Sequence, residues 1–232
     1  MIKRCYLNEI PVDSGPKTDL RQTVSDWLLS GQKSRQVVTL NATMLIAALK
    51  NDRLKQAIQK ADLVIVDGSG IKSALKRGGI RTERFPGVDL AAEMIDFCIE
   101  ERLPVYCYGG TKETVLSLWK KFAGLGQLVF RDGFSENENL VREEIIKFQP
   151  KLLLAGLGSP RQEFFLAGLL PELTGTVGIG VGGALDIISS QKPRAPAVFI
   201  DHGGEWFYRM LREPKRIKLL PELVKFWYHF LR

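Results

Sequence analysis

The sequence is short of the residues on which much enzyme chemistry rests. It holds two histidines, His202 and His229, so a zinc enzyme or a His-activated nucleophile is poorly supplied. Three cysteines, Cys5, Cys98 and Cys107, show no metal-ligand spacing, and their odd number argues against a disulfide framework. They read as free thiols in a reducing cytosol. No apolar run is long enough to span a bilayer, and the N-terminal stretch lacks the long apolar segment of a signal peptide. There is no Asp-x-Asp and no Gly-Lys-[Ser/Thr]. The carboxylate pair that most often holds a metal–nucleotide complex is therefore missing. A bound nucleotide diphosphate is expected to meet Arg, Lys and helix N-termini, with no metal site and no cofactor. Internal repeats and low-complexity stretches are also lacking.

What is present is a chain of 232 residues with ordinary apolar content and a net charge of +7. Its length suits one large α/β domain with an appendage. The charge is unevenly placed. From Trp206 to Arg232 there are seven Lys/Arg against two Asp/Glu, a surplus of five, and the preceding 205 residues are nearly neutral. A basic, aromatic-rich tail on a near-neutral body implies an acidic surface as partner. Its large aliphatic content suits anionic lipid better than nucleic acid. The competing reading is a helical hairpin packed on the core. An exposed apolar tail also favours self-association, so a homo-oligomer is a possible state.

Along the chain, apolar stretches alternate with helical patterns. Residues 4–12 read as a strand and turn, 20–30 as a helix, 36–40 as a strand and 43–60 as one helix. The run Leu63-Val64-Ile65-Val66 reads as a buried strand, with a short helix to Lys76 and an exposed loop over 77–86. Helix 88–101, strand 104–108, a helix to Phe122, strand 127–131 and helix 136–148 follow. Strand 152–155 leads into Gly156, Gly158 and a helix with Ser159 as N-cap and Pro160 as first residue. A last strand spans 176–181. Several strands are apolar throughout, the pattern of a mostly parallel sheet with helices on both faces. A boundary near residue 200 separates a domain over 1–200 from an appendage over 201–232.

Strand ends carry Gly or small polar residues, and in open α/β sheets ligands bind outside the carboxyl ends of the strands. Asp67 ends an apolar strand, where low-dielectric walls suit a general base; the alternative is a plain Asp-Gly turn. Thr39 and Asn41 point to one side and can share a ligand, unless Asn41 only caps the next helix. Gly109 and Gly110 close another strand. Gly156 and Gly158 precede a helix whose first turn carries Arg161 and Gln162, a setting that favours an anion. The basic stretch Lys72, Lys76, Arg77, Arg81 and Arg84 offers diphosphate ligands, or is a solvated loop. Residues 178–183 spell Gly-x-Gly-x-x-Gly with Asp201 about twenty residues on, a dinucleotide fingerprint taken literally. These glycines lie within the strand pattern, however, and Pro193 and Pro196 leave too little room for a crossover helix.

One ordered set of blocks spans nearly the whole chain. It comprises Thr39-Leu-Asn41-Ala; Ala61-Asp62-Leu63 through Asp67-Gly68-Ser69-Gly70; Arg84 through Gly87-Val88-Asp89; Gly109-Gly110; and Asp132-Gly133-Phe134. It continues with Gly156-Leu-Gly158-Ser-Pro160-Arg-Gln162-Glu163; Val181-Gly-Gly-Ala-Leu-Asp186; Arg194-Ala195-Pro196; and Glu205-Trp206-Phe-Tyr-Arg209 with Glu213-Pro214-Lys-Arg216. This set resembles the WecG/TagA/CpsF glycosyltransferases.

The resemblance implies a Rossmann-like domain whose C-terminal appendage closes over the active site at the cytoplasmic face of the cell membrane. It implies transfer of a sugar from a UDP-sugar donor to a polyprenyl-diphosphate-linked N-acetylglucosamine, with UDP-N-acetylmannosamine as donor in the teichoic-acid branch of cell-wall synthesis. The enterobacterial branch uses the mannosaminuronic acid donor. Carried onto this sequence, Asp67 is the general base, flanked by Thr39 and Asn41 as positioning residues. Arg84 faces the diphosphate, Gln162 and Asp186 contact substrate, and Arg209 and Arg216 stabilise the leaving UDP. A nucleotide-binding module without transferase activity and a peripheral membrane scaffold are the readings from other classes.

Overall fold

The computed structural model describes residues 1–134, 137–201 and 203–230; for Asp201, Arg209, Pro214, Lys215 and Arg216 it describes the backbone alone. The first strands, β1 (Lys3–Leu7) and β2 (Ile10–Ser14), form an antiparallel hairpin. Then follow α1 (Lys17–Ser30), β3 (Arg35–Leu40), α2 (Ala42–Ala48), α3 (Asp52–Gln59), β4 (Leu63–Val66), α4 (Ser69–Arg77) and α5 (Gly87–Glu100). The second half runs β5 (Val105–Gly109), α6 (Lys112–Lys121), β6 (Leu128–Arg131), α7 (Glu138–Phe148), β7 (Leu152–Gly156), α8 (Arg161–Leu169), β8 (Val177–Gly180) and α9 (Ala184–Ile188). Helices α10 (Ala197–Asp201), α11 (Glu205–Arg212) and α12 (Leu220–Phe230) complete the chain, with a 3₁₀ segment, Pro214–Leu219, before the last.

Strands β3 to β8 make one six-stranded sheet in the order β4-β3-β8-β7-β5-β6. Every pairing in it is parallel. This is the α/β sheet that the apolar strands predict, because a strand buried on both faces cannot alternate with polar residues. On one face Val37, Ile65, Cys107, Leu154 and Ile179 share a core with α1, α5 and α9 residues such as Leu28, Met94 and Leu185. On the other, Val38, Val64 and Val66 pack with Leu45, Leu54 and Ile71, while Tyr106, Tyr108 and Leu153 pack with Val141 and Phe165. Cys5, Cys98 and Cys107 are free thiols. Burial pushes the Cys98 thiol up to about 12 and raises Cys107 as well, so neither is a reactive thiolate near neutral pH.

The hairpin protects one edge of the sheet. The buried Asp13 carboxylate accepts the Val64 backbone N–H at 2.7 Å, and Arg4 holds both its oxygens at 2.8 Å. An edge donor that would otherwise seek another chain is thereby occupied.

Three local expectations change. The single helix predicted over 43–60 is two helices, because Asn51 caps a new start by accepting the Leu54 N–H at 3.0 Å. Ser159 is no N-cap: α8 begins at Arg161, with no side-chain cap hydrogen bond, so Ser159 stands one residue too far out. The stretch 77–86 is not exposed throughout. Its Phe85 is fully buried and donates its N–H to the Val66 carbonyl at 2.8 Å, which draws the loop against the end of β4. The predicted helix start at Glu136 lies outside the described residues; α7 is described from Glu138.

The glycines of 178–183 have a packing explanation. Gly178 and Gly180 lie in β8 on the face that meets α8. A Cβ at Gly178 would stand 2.9 Å from Leu166 Cδ2, and one at Gly180 would stand 2.7 Å from Gln162 Nε2. They let a helix press on a strand, and the helix after them, α9, has five residues.

Among the described residues no helix is long and apolar enough to cross a membrane. Helix α12 lies on the body through Phe226, which is 3% exposed and shares the core of α2 and α4. Other large side chains of the C-terminal helices are exposed, among them Trp206, Leu211, Val224 and Trp227.

The seam between α8 and β8 gives a direct test. Gly178→Val is expected to destabilise the fold by about 1–3 kcal/mol through overpacking, seen as a lower urea midpoint with an unchanged slope.

Candidate active site

The carboxyl ends of β3, β4, β7 and β8 open into a cleft of about 850 Å³. Thr39, Asn41, Asp67, Arg84, Gly158 and Gln162 line it, together with residues 181–184. Six side chains or glycines singled out in the sequence therefore meet in one place, although they come from three different strand ends and a loop.

Parallel register sets the base of the site. Leu40 pairs with Val66, so the next turn of each strand brings Asn41 and Asp67 side by side. The Asp67 N–H donates to the Leu40 carbonyl at 3.0 Å. The Asp67 carboxylate accepts the Gly87 N–H at 2.6 Å. Gly87 is the first residue of α5, so the carboxylate sits at a helix start, where negative charge is favoured. Gly87 also lies close to Thr39: a Cβ on it would be 3.2 Å from the Thr39 side chain. Thr39 donates its hydroxyl to the Gly180 carbonyl at 2.7 Å, which ties β3 to β8. Asn41 accepts the Met44 N–H at 3.0 Å and so caps α2 while also lining the cleft.

Of the basic stretch before Gly87, Arg84 enters the cleft, while Lys72, Lys76, Arg77 and Arg81 are exposed. Arg84 Nη2 pairs with Glu205 Oε2 at 3.3 Å, and the two side chains are 12% and 11% exposed. Glu205 opens α11, so a carboxylate from the C-terminal helices occupies the arginine expected to face a diphosphate. The Ser69 hydroxyl donates to the Gly203 carbonyl at 2.7 Å and fixes the same junction. Neither contact was legible in the sequence. Arg84 and Glu205 are separated by 121 residues, and no local spacing links them.

At the other wall, Gln162 and Arg161 diverge rather than facing one ligand, because consecutive helical residues project in different directions. Arg161 points away, donating to the Gly133 carbonyl at 2.9 Å and pairing with Glu138 at 2.9 Å. Gln162 is buried and accepts the Gly182 N–H at 2.9 Å. Its neighbour Glu163 is 1% exposed. Burial raises the Glu163 carboxyl above its ordinary range, and the Gln162 and Ser159 side chains pull it partly back.

Gly109, Gly110, Gly156 and Asp186 stand beside the cleft and do not line it. A Cβ on Gly109 would come within 2.5 Å of Gly156, and one on Gly156 within 2.9 Å of the Gly182 carbonyl. These glycines let the ends of β5, β7 and β8 approach closely. Gly110 lies against Asp186: a Cβ there would be 3.3 Å from Asp186 Oδ1. Asp186 itself accepts the Thr114 hydroxyl at 2.8 Å and pairs with Lys192 at 2.7 Å. Lys192 also reaches Glu213 at 3.9 Å, and Arg194 pairs with Asp89 at 2.6 Å, which pins the basic loop of 192–196 to the body. The side chains of Arg209 and Arg216, and all of His202, lie outside the described residues. Among the described residues no three His, Cys, Asp or Glu side chains gather as metal ligands.

The cleft has a second character. Trp206, Met210, Leu220, Leu223 and Trp227 from the C-terminal helices add an apolar lining to its polar and charged groups. A lining of polar and charged groups joined to an apolar one suits a ligand with a polar head and a hydrocarbon body.

The raised Glu163 carboxyl fixes a sign. A carboxyl that holds its proton more tightly when folded opposes folding once ionised, so stability is lost as pH rises from the ordinary value of 4.5 through its raised value. Glu163→Gln removes this titration. The urea midpoint of the variant is expected to gain on the wild type as pH rises through that window.

The sequence profile described as "Glycosyl transferase WecG/TagA/CpsF family" matches residues 5–232. An N-acetylglucosaminyldiphosphoundecaprenol N-acetyl-beta-D-mannosaminyltransferase of Bacillus spizizenii (strain ATCC 23059 / NRRL B-14472 / W23) is 27% identical over 225 residues, covering 95% of this chain and 88% of the relative. An enzyme of the same name from Bacillus subtilis (strain 168) is 25% identical over 195 residues, covering 82% and 76%. With the profile matched over nearly its full length, this chain belongs to the WecG/TagA/CpsF family of glycosyltransferases.

Proposed function

We propose that this glycosyltransferase moves N-acetylmannosamine from UDP-N-acetylmannosamine to N-acetylglucosamine carried on undecaprenyl diphosphate, in the synthesis of a teichoic-acid type of cell-wall polymer. The observation that carries the reading is the composition of the cleft. Asp67 and Arg84 line it together with apolar side chains of α11 and α12. The names of the two Bacillus relatives support the same donor and acceptor.

The chemistry follows from one carboxylate. Asp67 takes the proton from the acceptor hydroxyl as that oxygen attacks the anomeric carbon. The bond from that carbon to the UDP oxygen breaks, and its electron pair leaves with UDP. A single displacement inverts the configuration, and one positioned base suffices for it. Thr39 and Asn41 hold the substrates beside Asp67. Arg84 meets diphosphate charge, once that charge replaces the Glu205 carboxylate. Gln162, with Gly156, Gly158, Gly109, Gly110 and Asp186 behind it, builds the donor side. Arg209 and Arg216 of the appendage over 201–232 approach the leaving diphosphate. No metal takes part.

The acceptor is anchored in lipid, so the enzyme works at the membrane surface on the cytoplasmic side. Trp206, Phe207, Leu211, Ile217, Trp227 and Tyr228 are exposed on the C-terminal helices. Their apolar bodies insert at the headgroup level while neighbouring Lys and Arg meet anionic lipid.

Asp67→Asn is expected to lower kcat about 10²- to 10⁴-fold while UDP binding by calorimetry is kept; near-normal turnover would remove Asp67 from its role. Transfer assayed with EDTA in place of divalent metal should keep its rate, and complete loss of activity would contradict the metal-free reaction. Offering several UDP-sugars with one lipid-linked acceptor identifies the donor by its kcat/KM.

For the membrane contact, substitution is a cleaner test than truncation, because Phe226 belongs to the core. The pair Trp206→Ser and Trp227→Ser removes two large insertions, each worth about 1.5–3 kcal/mol when buried. Binding to anionic vesicles should weaken at least about tenfold, with the thermal midpoint unchanged. Equal vesicle binding by the variant would show that these helices do not meet lipid.

A further inference from the structure

Glu163 is almost completely buried, yet no step of the transfer uses it. Its Oε2 has no hydrogen-bond partner among the described residues. A buried, half-satisfied carboxyl weakens a fold rather than holding it together. Its contribution lies with its other oxygen.

That oxygen, Oε1, accepts the Gln162 Nε2–H at 2.7 Å. The opposite end of the same amide, Oε1 of Gln162, accepts the Gly182 N–H at 2.9 Å. An amide side chain has two ends of nearly equal shape and opposite hydrogen-bonding sense. The carboxyl oxygen that faces Gln162 takes the amide nitrogen, which leaves the amide oxygen for Gly182. Space for the pair exists because residue 180 has no side chain: a Cβ there would stand 2.7 Å from Gln162 Nε2 and 3.1 Å from Glu163 Oε1. The Glu163 backbone is held in turn by Gln36, whose Nε2 donates to its carbonyl at 3.4 Å.

The object being held is a wall of the cleft. Gly182 adopts a left-handed backbone, with φ at 52°, and Gln162 and residues 181–184 all line the cavity. Asp67 is held by a different contact, the Gly87 N–H.

We propose that Glu163 is a positioning residue: through Gln162 and the Gly182 N–H it sets the turn after β8 in the form that seats the donor nucleotide. The proposal rests on the reading of the cleft as a UDP-sugar site. It assigns Glu163 to donor binding and leaves proton removal to Asp67.

UDP binding to the full chain is measured first by calorimetry, well below the thermal midpoint. If the wild type binds no UDP, the reading of the site fails, and with it the ground for this role. Given binding, Glu163→Met fills the same space without an acceptor. It should weaken UDP binding and raise the KM for the UDP-sugar on the order of tenfold, as expected when one orienting hydrogen bond is lost, with the shape of the pH–rate profile unchanged. Glu163→Gln, which keeps an acceptor oxygen, should recover most of that loss. The double variant Gln162→Ala/Glu163→Met should bind no worse than Gln162→Ala alone. Should Glu163→Met not fold, Gly180→Ala displaces the same pair from the strand side and should raise KM in the same way. Wild-type affinity in the folded Met or Ala variant would overturn the proposal. So would losses that multiply in the double variant.

Discussion

The close approach of α8 to β8 is the constraint on which the site depends. Two strand positions, Gly178 and Gly180, give up their side chains so that the helix can lie against the sheet. That contact carries Gln162 and Glu163 inward, fixes the turn after β8, and leaves the Gly180 carbonyl for the Thr39 hydroxyl. The two halves of the cleft, one from β3 and β4 and one from β7 and β8, are joined through this seam. A bulky residue at either glycine would part them before any catalytic group was touched.

A second constraint comes from charge. The cleft floor brings together an acid and a base that would each be costly to bury alone. Asp67 is met by a backbone N–H at the start of α5, and Arg84 by Glu205. The arginine is thus held, largely buried, by a carboxylate from the C-terminal helices. Because Glu205 opens α11, the pairing also ties Arg84 to the helices that carry the apolar side chains lining the cleft.

Much of the sheet was legible because its signal is local. Apolar runs of four to six residues bounded by Gly and Asn define strands buried on both faces, and Asp67, Thr39 and Asn41 were placed at strand ends by that pattern alone. The glycine-spaced 178–183 was also read as strand rather than as a dinucleotide loop, and β8 with its five-residue α9 agrees. Helix breaks were less legible. Asn51 divides what the periodicity presents as one helix, since a side-chain cap competes with a pattern that otherwise continues. The loop before Gly87 looked solvated from its charge, but Phe85 anchors it in the core and turns one arginine of the group inward.

The sequence by itself determined the α/β class, the strand ends that carry polar residues, and the family to which the chain belongs. These rest on periodicity and on blocks of residues close together along the chain. Only the tertiary structure decided which of the candidates share a cleft. It gathered Thr39, Asn41, Asp67, Arg84, Gly158 and Gln162, set Asp186 and the glycines of β5 and β7 beside them, and turned Arg161 away. It also supplied the partners no spacing announces: Gly87 for Asp67, Glu205 for Arg84 and Glu163 for Gln162. The reason is physical. Strand order and helix approach fix distances between residues far apart in the chain, and hydrogen bonds and ion pairs are decided by those distances.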